Sequence, residues 1–348
     1  MAKQVGAESA RWAFAQWEMR RAGRIKFSRA EEMLFVREAL EQSTSEAVAL
    51  WRARRFPTGE CVADLTCGIG GDLMALAATG HPVLGYEIDP ERARYATHNL
   101  GLITPNGEIR EQDCLGTTWD FEFAFADPAR RVDGRRTLDP ESFQPDPSSL
   151  THRMAKLRLG AIKLSPMLPD AFLESLGPRL EFVSYGRECR EACIWMGREV
   201  GEPGRLAVHV ESGDTLLAGY AAIPIESPQS FLYDADPAAV RAHALGTLCE
   251  LHDLSALGDS YSYLTGDNLV SSPWLRAYRV ISSVKADLKA ARAARRELDA
   301  TVFEVKVSGP KIDGSALRKQ LTTEGKRPVS LCVWSLGKSI RWTFVEAV

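Results

Sequence analysis

The chain has 348 residues, 45% hydrophobic and 26% charged, an ordinary globular balance that can bury a large core without disulfides or metal and form two domains, or one with substantial additions. Its N-terminus, MAKQVGAESARWAFAQWEMRR, lacks a continuous apolar segment, and the longest charge-free apolar run, near residues 216–225, falls far short of the ~20 residues of a membrane helix, so neither a secretory leader nor a membrane partner is expected and the location expected is cytoplasmic. The net charge of −3 is uneven: residues 1–56 hold 11 Lys/Arg against 7 Glu, residues 281–348 hold 13 against 7 acids, and the middle stands at −13, so two basic ends, suited to an anionic polymer or simply solvated, flank an acidic centre.

In chain order, residues 29–55 are expected as helix, with Ser28 as cap, Glu31 as its capping-box partner, and Leu34, Phe35, Ala39, Leu40, Ala47, Val48 and Trp51 near helical spacing. Pro57 and Gly59 end this segment, and residues 1–56 form a helical extension. Strands are expected at 61–65, 82–87, 121–126, 161–164, 180–185 and 192–196, the last pairing with 206–210 or 215–220. Helices are expected at 72–78, at 90–99 behind the cap Asp89, and at 151–159. This alternation predicts an α/β fold, a doubly wound Rossmann-like sheet with an antiparallel edge, over residues 57–229. A small α+β domain follows at 230–348: a helix at 238–249 started by Pro237, loops near 261–264 and 271–273, a helix at 282–298, strands at 301–307, 329–334 and 339–345, and a helix at 315–321.

The seven cysteines are odd in number and irregularly spaced, which fits reduced thiols. Cys189 and Cys193 stand as a lone pair, no two histidines are four residues apart, and no metal site is expected. The sequence contains no internal repeat and no low-complexity tract.

The chemistry concentrates in residues 64–72, DLTCGIGGD, where a buried strand ends in a glycine-rich turn that opens a helix. Glycines there allow positive φ and close backbone approach, and the N–H groups of the turn and helix start face whatever lies above them. Glu87, nineteen residues after Gly68 at the end of the next strand, is placed to accept both hydroxyls of a ribose. Turn plus spaced acid point to an adenosine-containing cofactor. A dinucleotide site wants a third glycine near position 73, where this chain has Leu73, and Asp64 ahead of the turn repels a pyrophosphate but suits the ammonium end of S-adenosylmethionine (SAM). SAM is therefore the expected cofactor, with Thr66, Cys67, Gly68, Gly70, Gly71 and Ile88 completing its site. Asp113 is placed to accept the adenine amino group and the Cys114 N–H to reach the ring; outside this context such an Asp is an ordinary turn residue. Asp127 leaves the fourth strand at its carboxyl end and points toward the methyl donor, where it can accept hydrogen bonds from a target amine while Pro128 stiffens the turn. Methyl transfer is a direct displacement, so alignment supplies most of the rate.

At these residues the chain resembles class I SAM-dependent methyltransferases. The turn and the following GYEIDPERARYATHNL look like the trimethylguanosine synthase-like branch, and closer still are bacterial proteins that add a C-terminal THUMP-like domain. The resemblance covers nearly the whole chain, including residues 39–56, ADPARR at 126–131, AIKLSPML at 161–168, SYGRECREACIWMG at 184–197, DADPAAVRAHALG at 234–246, YLTGD at 263–267 and FEVKVSGPKIDGSALRKQL at 303–321. It implies a seven-stranded sheet, a C-terminal module related by name to an RNA-binding domain, and cofactor roles on Asp64, Cys67, Gly68, Gly70, Glu87, Asp113 and Asp127. Amino-methylating relatives carry Pro-Pro-aromatic after the acid, whereas this chain has Pro128-Ala129-Arg130; Arg130 can stack by its guanidinium plane or pair with a phosphate.

In the expected helix at 282–298, Lys285, Lys289, Arg292 and Arg296 form one basic stripe opposite Val284, Leu288 and Ala291. With Lys306, Lys311, Arg318, Lys319, Lys326 and Arg327 nearby, phosphate contacts are reasonable, and a tRNA or rRNA partner is expected. A small-molecule or protein methyltransferase, and a non-catalytic scaffold that binds SAM or RNA, are the alternatives.

Overall fold

A computed structural model describes residues 6–130, 142–219, 223–259 and 262–348; Arg131, Tyr220 and Tyr261 lie outside this set, as does the side chain of Arg130. The chain divides into two compact units, Met1–Val183 with Arg190–Gly204, and Ser184–Cys189 with Arg205–Val348.

The first unit is built on β1 (Val62–Asp64), β2 (Val83–Glu87), β3 (Glu108–Glu111), β4 (Phe123–Ala126), β5 (Ala129–Arg130), β6 (Phe143–Gln144), β7 (Leu159–Leu164), β8 (Arg179–Tyr185) and β9 (Glu188–Met196). All but the small β5–β6 pair line up as β8-β9-β7-β4-β1-β2-β3. β1, β2 and β4 are buried along their whole length and apolar but for Tyr86 and the terminal acids of β1 and β2, the pattern of strands covered on both faces. β3, β2, β1, β4 and β7 are mutually parallel, so their carboxyl ends share one edge, and β9 runs antiparallel to β7. The expected pairing of 192–196 with the strands near 206–217 is corrected: β9 is enclosed by β8 and β7, because the two-residue turn at Gly186 and Arg187, both at positive φ, folds it straight back from β8.

The helices at Gly71–Ala78 and Pro90–Gly101 connect these strands, the second capped by Asp89, whose Oδ1 accepts from the Glu91 and Arg92 N–H groups. The helix expected at 151–159 runs instead over Pro147–Met154, capped by Asp146, and ends before β7 begins. The single helix expected at 29–55 is replaced by turns and two short helices, Arg37–Gln42 and Glu46–Ala53. Ser28 makes no capping box with Glu31; its N–H and hydroxyl both donate to the Glu46 carboxylate at 2.6 and 2.8 Å, while Lys26 Nζ donates to the Leu40, Glu41 and Ser43 carbonyls and closes the end of the first short helix. A further helix, Ala7–Gly23, precedes them. Phe27, Met33, Phe35 and Leu40 from this N-terminal segment pack with Ile69 and Met74, so the segment is cored against the glycine-rich turn and its helix.

The second unit contains a hairpin of β10 (Gly204–His209) and β11 (Thr215–Leu217), and a sheet of β12 (Phe231–Ala235), β13 (Ser255–Ala256), β14 (Tyr263–Gly266), β15 (Leu275–Lys285), β16 (Ala300–Val307), β17 (Arg327–Leu336) and β18 (Ser339–Ala347) in the order β13-β14-β12-β15-β18-β17-β16. β16 and β17 are parallel and joined through the helix Gly314–Leu321; the other pairs are antiparallel. Three expectations change here. Residues 282–285 finish the long strand β15, since Val280, Ile281 and Val284 favour a pleated surface, and the helix begins only at Leu288 behind the cap Asp287. The helix expected at 238–249 is interrupted by His243 at φ 60°, giving Pro237–Arg241 and Leu245–His252. Residues 263–264, expected in a loop, belong to β14. The seven cysteines form no disulfide, and among the described residues no helix is long and apolar enough to cross a membrane.

Candidate functional site

Beyond Asp64 the chain leaves the sheet while still bonded to both neighbouring strands: the Leu65 N–H donates to the Phe125 carbonyl at 2.8 Å and the Cys67 N–H to the Tyr86 carbonyl at 2.9 Å. Gly68 and Gly70 then take φ of 57° and 87°, left-handed backbone that a side chain strains, and the Gly70 N–H closes on the Cys67 carbonyl at 2.7 Å. The helix Gly71–Ala78 starts at Gly70 with no side-chain cap, so its first N–H groups face outward unsatisfied by the protein's own side chains. The glycines serve different ends. A Cβ on Gly70 would stand 3.3 Å from the Ala96 backbone and one on Gly71 3.3 Å from the Phe27 ring, whereas one on Gly68 would meet nothing closer than the Thr66 carbonyl at 4.0 Å. Space is open above Gly68 alone. Leu73, at the position where a dinucleotide site wants glycine, is buried against β2, and Gly85 makes room for it: a Cβ there would lie 2.9 Å from Leu73 and 3.0 Å from the Cys67 sulfur.

Asp64, Glu87, Asp113 and Asp127 all gather at the carboxyl edge of the parallel strands. Glu87 is 8% exposed, and its Oε1 accepts the Asp89 N–H at 2.9 Å, which leaves Oε2 for a hydroxyl. Ile88 beside it is 62% exposed. Asp113 is exposed and caps a short 3₁₀ turn, Cys114–Gly116, by accepting the Leu115 N–H at 2.9 Å. Cys114 is buried, and burial pushes its thiol up to about 12, so it behaves as a small apolar group. Burial, with Asp64 and Glu87 nearby, raises the Cys67 thiol well above its ordinary range too. Pro128 is buried, and Ala129 and Arg130 pair with Gln144 and Phe143.

Asp127 is held at both ends. Its N–H donates to Thr66 Oγ1 at 2.6 Å, and its Oδ2 accepts from the Lys163 ammonium, carried by β7 where it adjoins β4. Beside this pair, Arg52 from the helix Glu46–Ala53 donates to both Asp72 and Glu191 and lies over the Phe125 ring at 4.2 Å from its centroid. Arg52 and Glu191 are 2% and 1% exposed. Burial works against the Lys163 charge, but Asp127, Asp72 and Glu191 outweigh it and hold the ammonium above its usual range. Glu191 is raised by burial despite Arg52 and Lys163. Asp64, 1% exposed, is raised well above the carboxylate range by burial first and then by Asp72, with Asp127 adding and the Thr66 N–H opposing. With every group ionised, the carboxylates of Asp64, Asp72, Asp127 and Glu191 outnumber the cations Arg52 and Lys163 by two, an imbalance that favours a cationic ligand.

Sequence reasoning missed Lys163, Arg52, Asp72 and Glu191. Lys163 had a visible signal: it is the lone charge in an otherwise apolar strand, one residue from its carboxyl end. Arg52 and Glu191 gave none, since their pairing spans 139 positions of chain.

No protein-family model matches the chain. It is 32% identical over 310 residues to an uncharacterized S-adenosylmethionine-dependent methyltransferase of Mycobacterium tuberculosis, found in two strains, with 88% of this chain and 86% of the relative covered. Its structure is similar to that of a candidate methyltransferase from Porphyromonas gingivalis, with a TM-score of 0.80 at 20% identity over 95% of this chain and 88% of that one, a likeness of fold. The site fits the cofactor in the name of the Mycobacterium tuberculosis relative: open space above Gly68, outward N–H groups at a helix start and acids on neighbouring strand tips match an adenosyl compound. The chain belongs to the S-adenosylmethionine-dependent methyltransferases, and SAM is its cofactor.

Proposed function

We propose that the enzyme methylates RNA, at a transfer site formed by Asp127, Pro128 and Arg130. The cofactor supplies an electrophilic sulfonium methyl. In this reading Asp64 faces its ammonium end across the turn of Thr66, Cys67, Gly68, Gly70 and Gly71, and Glu87 Oε2 accepts a ribose hydroxyl. Ile88 covers the sugar, Asp113 accepts the adenine amino group and the Cys114 N–H reaches the ring. Thr66 ties the cofactor turn to the Asp127 backbone, so both partners of the displacement are positioned by one rigid strand edge. Residues 57–229 serve as the catalytic domain, with residues 230–348 as a THUMP-like module that grips the polymer and residues 1–56 as a helical extension.

The observation behind the RNA reading is the exposed basic surface of the second unit. Lys289, Arg292 and Arg296 are exposed on the helix Leu288–Glu297, whose Ala291 is buried in the core on the other side; Lys311, Arg318, Lys319, Lys326 and Lys338 are exposed as well. Two cations of the expected patch are committed elsewhere, Lys306 to Asp234 and Arg327 to Glu346. Lys285 sits on β15 rather than on the helix.

Titration of the full chain with bulk tRNA and rRNA at several salt concentrations tests this. Neutralising four to six phosphates gives a log–log slope of about −3 to −5, weakened by Lys289→Glu with Arg292→Glu. A slope near zero removes the polymer from the proposal.

A further inference from the structure

We infer that the atom methylated at this site is a hydroxyl oxygen, received between Asp127 and Lys163. The inference rests on the reading that transfer occurs at Asp127, and it deepens that reading by fixing the chemical class of the acceptor.

The donors and acceptors at the strand tip select the acceptor group. An amine acceptor brings two N–H donors, so its site must offer hydrogen-bond acceptors to hold them and aim the nitrogen lone pair. At this strand tip a single carboxylate acceptor stands beside a cationic donor. Asp127 Oδ2 is already taken by Lys163, and Lys163 sets a cation with three donors beside the reacting position. A hydroxyl has one donor and two lone pairs. It can give its hydrogen to Asp127 Oδ1, receive one from Lys163, and keep the second lone pair for the methyl carbon. Both Asp127 oxygens and two of the three Lys163 donors are then engaged, in a site where the ammonium is largely enclosed: the Lys163 side chain is 14% exposed and that of Asp127 31%. Arg130, third after Asp127, stands where amino-methylating relatives carry their aromatic residue, so no aromatic ring follows the acid to clamp a flat base and present an exocyclic amine.

The buried Arg52, with Asp72 and Glu191, completes the assignment. Asp72 and Glu191 add to the field that keeps Lys163 charged, and Arg52 holds both of them in place. Lys163 is therefore a donor here and not a base, and Asp127 takes the proton. In the step, the hydroxyl oxygen forms its bond to the methyl carbon as the carbon–sulfur bond breaks and its electron pair returns to sulfur, leaving a neutral thioether. The hydroxyl proton passes to the Asp127 carboxylate and from there to solvent, while Lys163 keeps its own proton and offsets the negative charge building on oxygen.

The test is to incubate the full chain with methyl-labelled SAM and, separately, total cellular RNA, protein and small metabolites, then to identify the labelled atom by hydrolysis and mass spectrometry. The result expected is an O-methyl product, in RNA a 2′-O-methylribose whose neighbouring phosphodiester survives alkali. An O-methyl product in protein or a metabolite upholds the hydroxyl and ends the RNA reading. An N-methylated base upholds RNA and overturns the hydroxyl. No label in any pool overturns transfer at this site altogether. On the labelled acceptor, Lys163→Met lowers kcat by at least ~100-fold with SAM affinity within about threefold of wild type, and Lys163→Arg, which keeps a donating cation, recovers about a tenth or more of the rate. A wild-type kcat in Lys163→Met, or losses in both variants that track loss of SAM binding, would assign Lys163 to structure alone.

Discussion

The Asn99 carboxamide donates to the Ile69 carbonyl at 2.8 Å from a fully buried position on the helix Pro90–Gly101. The same side chain donates to the Leu34 carbonyl at 2.9 Å and accepts the Leu34 N–H at 2.8 Å. One residue thus fastens the N-terminal segment and the cofactor turn to a single helix, and Ile69 lies between the two left-handed glycines. Asn99→Ala leaves three backbone groups without partners and costs about 2–5 kcal/mol. The urea midpoint falls at unchanged m, and calorimetric titration shows weaker SAM binding. A variant as stable as wild type would take Asn99 out of the account.

Gly68 and Gly70 separate binding from folding. Both are left-handed, so alanine at either strains the backbone by about 1–2 kcal/mol. Gly70→Ala also drives a methyl to within 3.3 Å of the Ala96 backbone, and its loss of stability exceeds that of Gly68→Ala. Gly68→Ala projects into open space where the cofactor is proposed to lie, and it weakens SAM binding beyond what its stability loss explains. Denaturation and SAM titration of the two variants check the order; the reverse order would move the cofactor away from Gly68.

The alternating strands, the turn and the cap at Asp89 were legible because each rests on contacts a few residues apart in sequence. Asp64, Glu87 and Asp127 were legible as strand-end acids for the same reason. What sequence could not disclose was the pairing of those acids. Lys163 reaches Asp127 across 36 positions through the lateral order of β4 and β7, and Arg52 reaches Glu191 on β9 across 139 from the helix Glu46–Ala53. The long strand β15 was misread for a different reason: local periodicity near residue 282 fits a helix, and pairing with β18 over residues 278–285 overrides it.

Breaking the buried Arg52 pairs is costly. Arg52→Met leaves Asp72 and Glu191 without their counter-ion, and loses about 3–5 kcal/mol. Adding Glu191→Leu removes one of the two carboxylates that Arg52 offset, so the double variant is more stable than Arg52→Met alone. A double-mutant cycle by chemical denaturation measures this, and additive losses would show that Arg52 contributes only through packing on Phe125.

Asp64 makes cofactor binding depend on pH. Without ligand its carboxyl is held well above the ordinary range by burial and by Asp72, so it retains a proton that an exposed aspartate would have lost. An ammonium arriving beside it favours the ionised form, so its bound-state pKa is lower and binding releases a proton. SAM affinity therefore rises with pH between the ordinary carboxylate range and the raised value, by up to about tenfold per unit if one full proton leaves. The stability of the ligand-free chain carries the opposite sign: the folded state holds the proton more tightly than the unfolded chain, so this group's contribution falls as pH rises through the same window. Asp64→Asn flattens both dependences, weakens SAM binding at high pH and leaves the ligand-free protein at least as stable there. Calorimetry in two buffers of different ionisation enthalpy counts the protons released; a count of zero in wild type, or one unchanged in Asp64→Asn, places the ammonium somewhere other than beside Asp64.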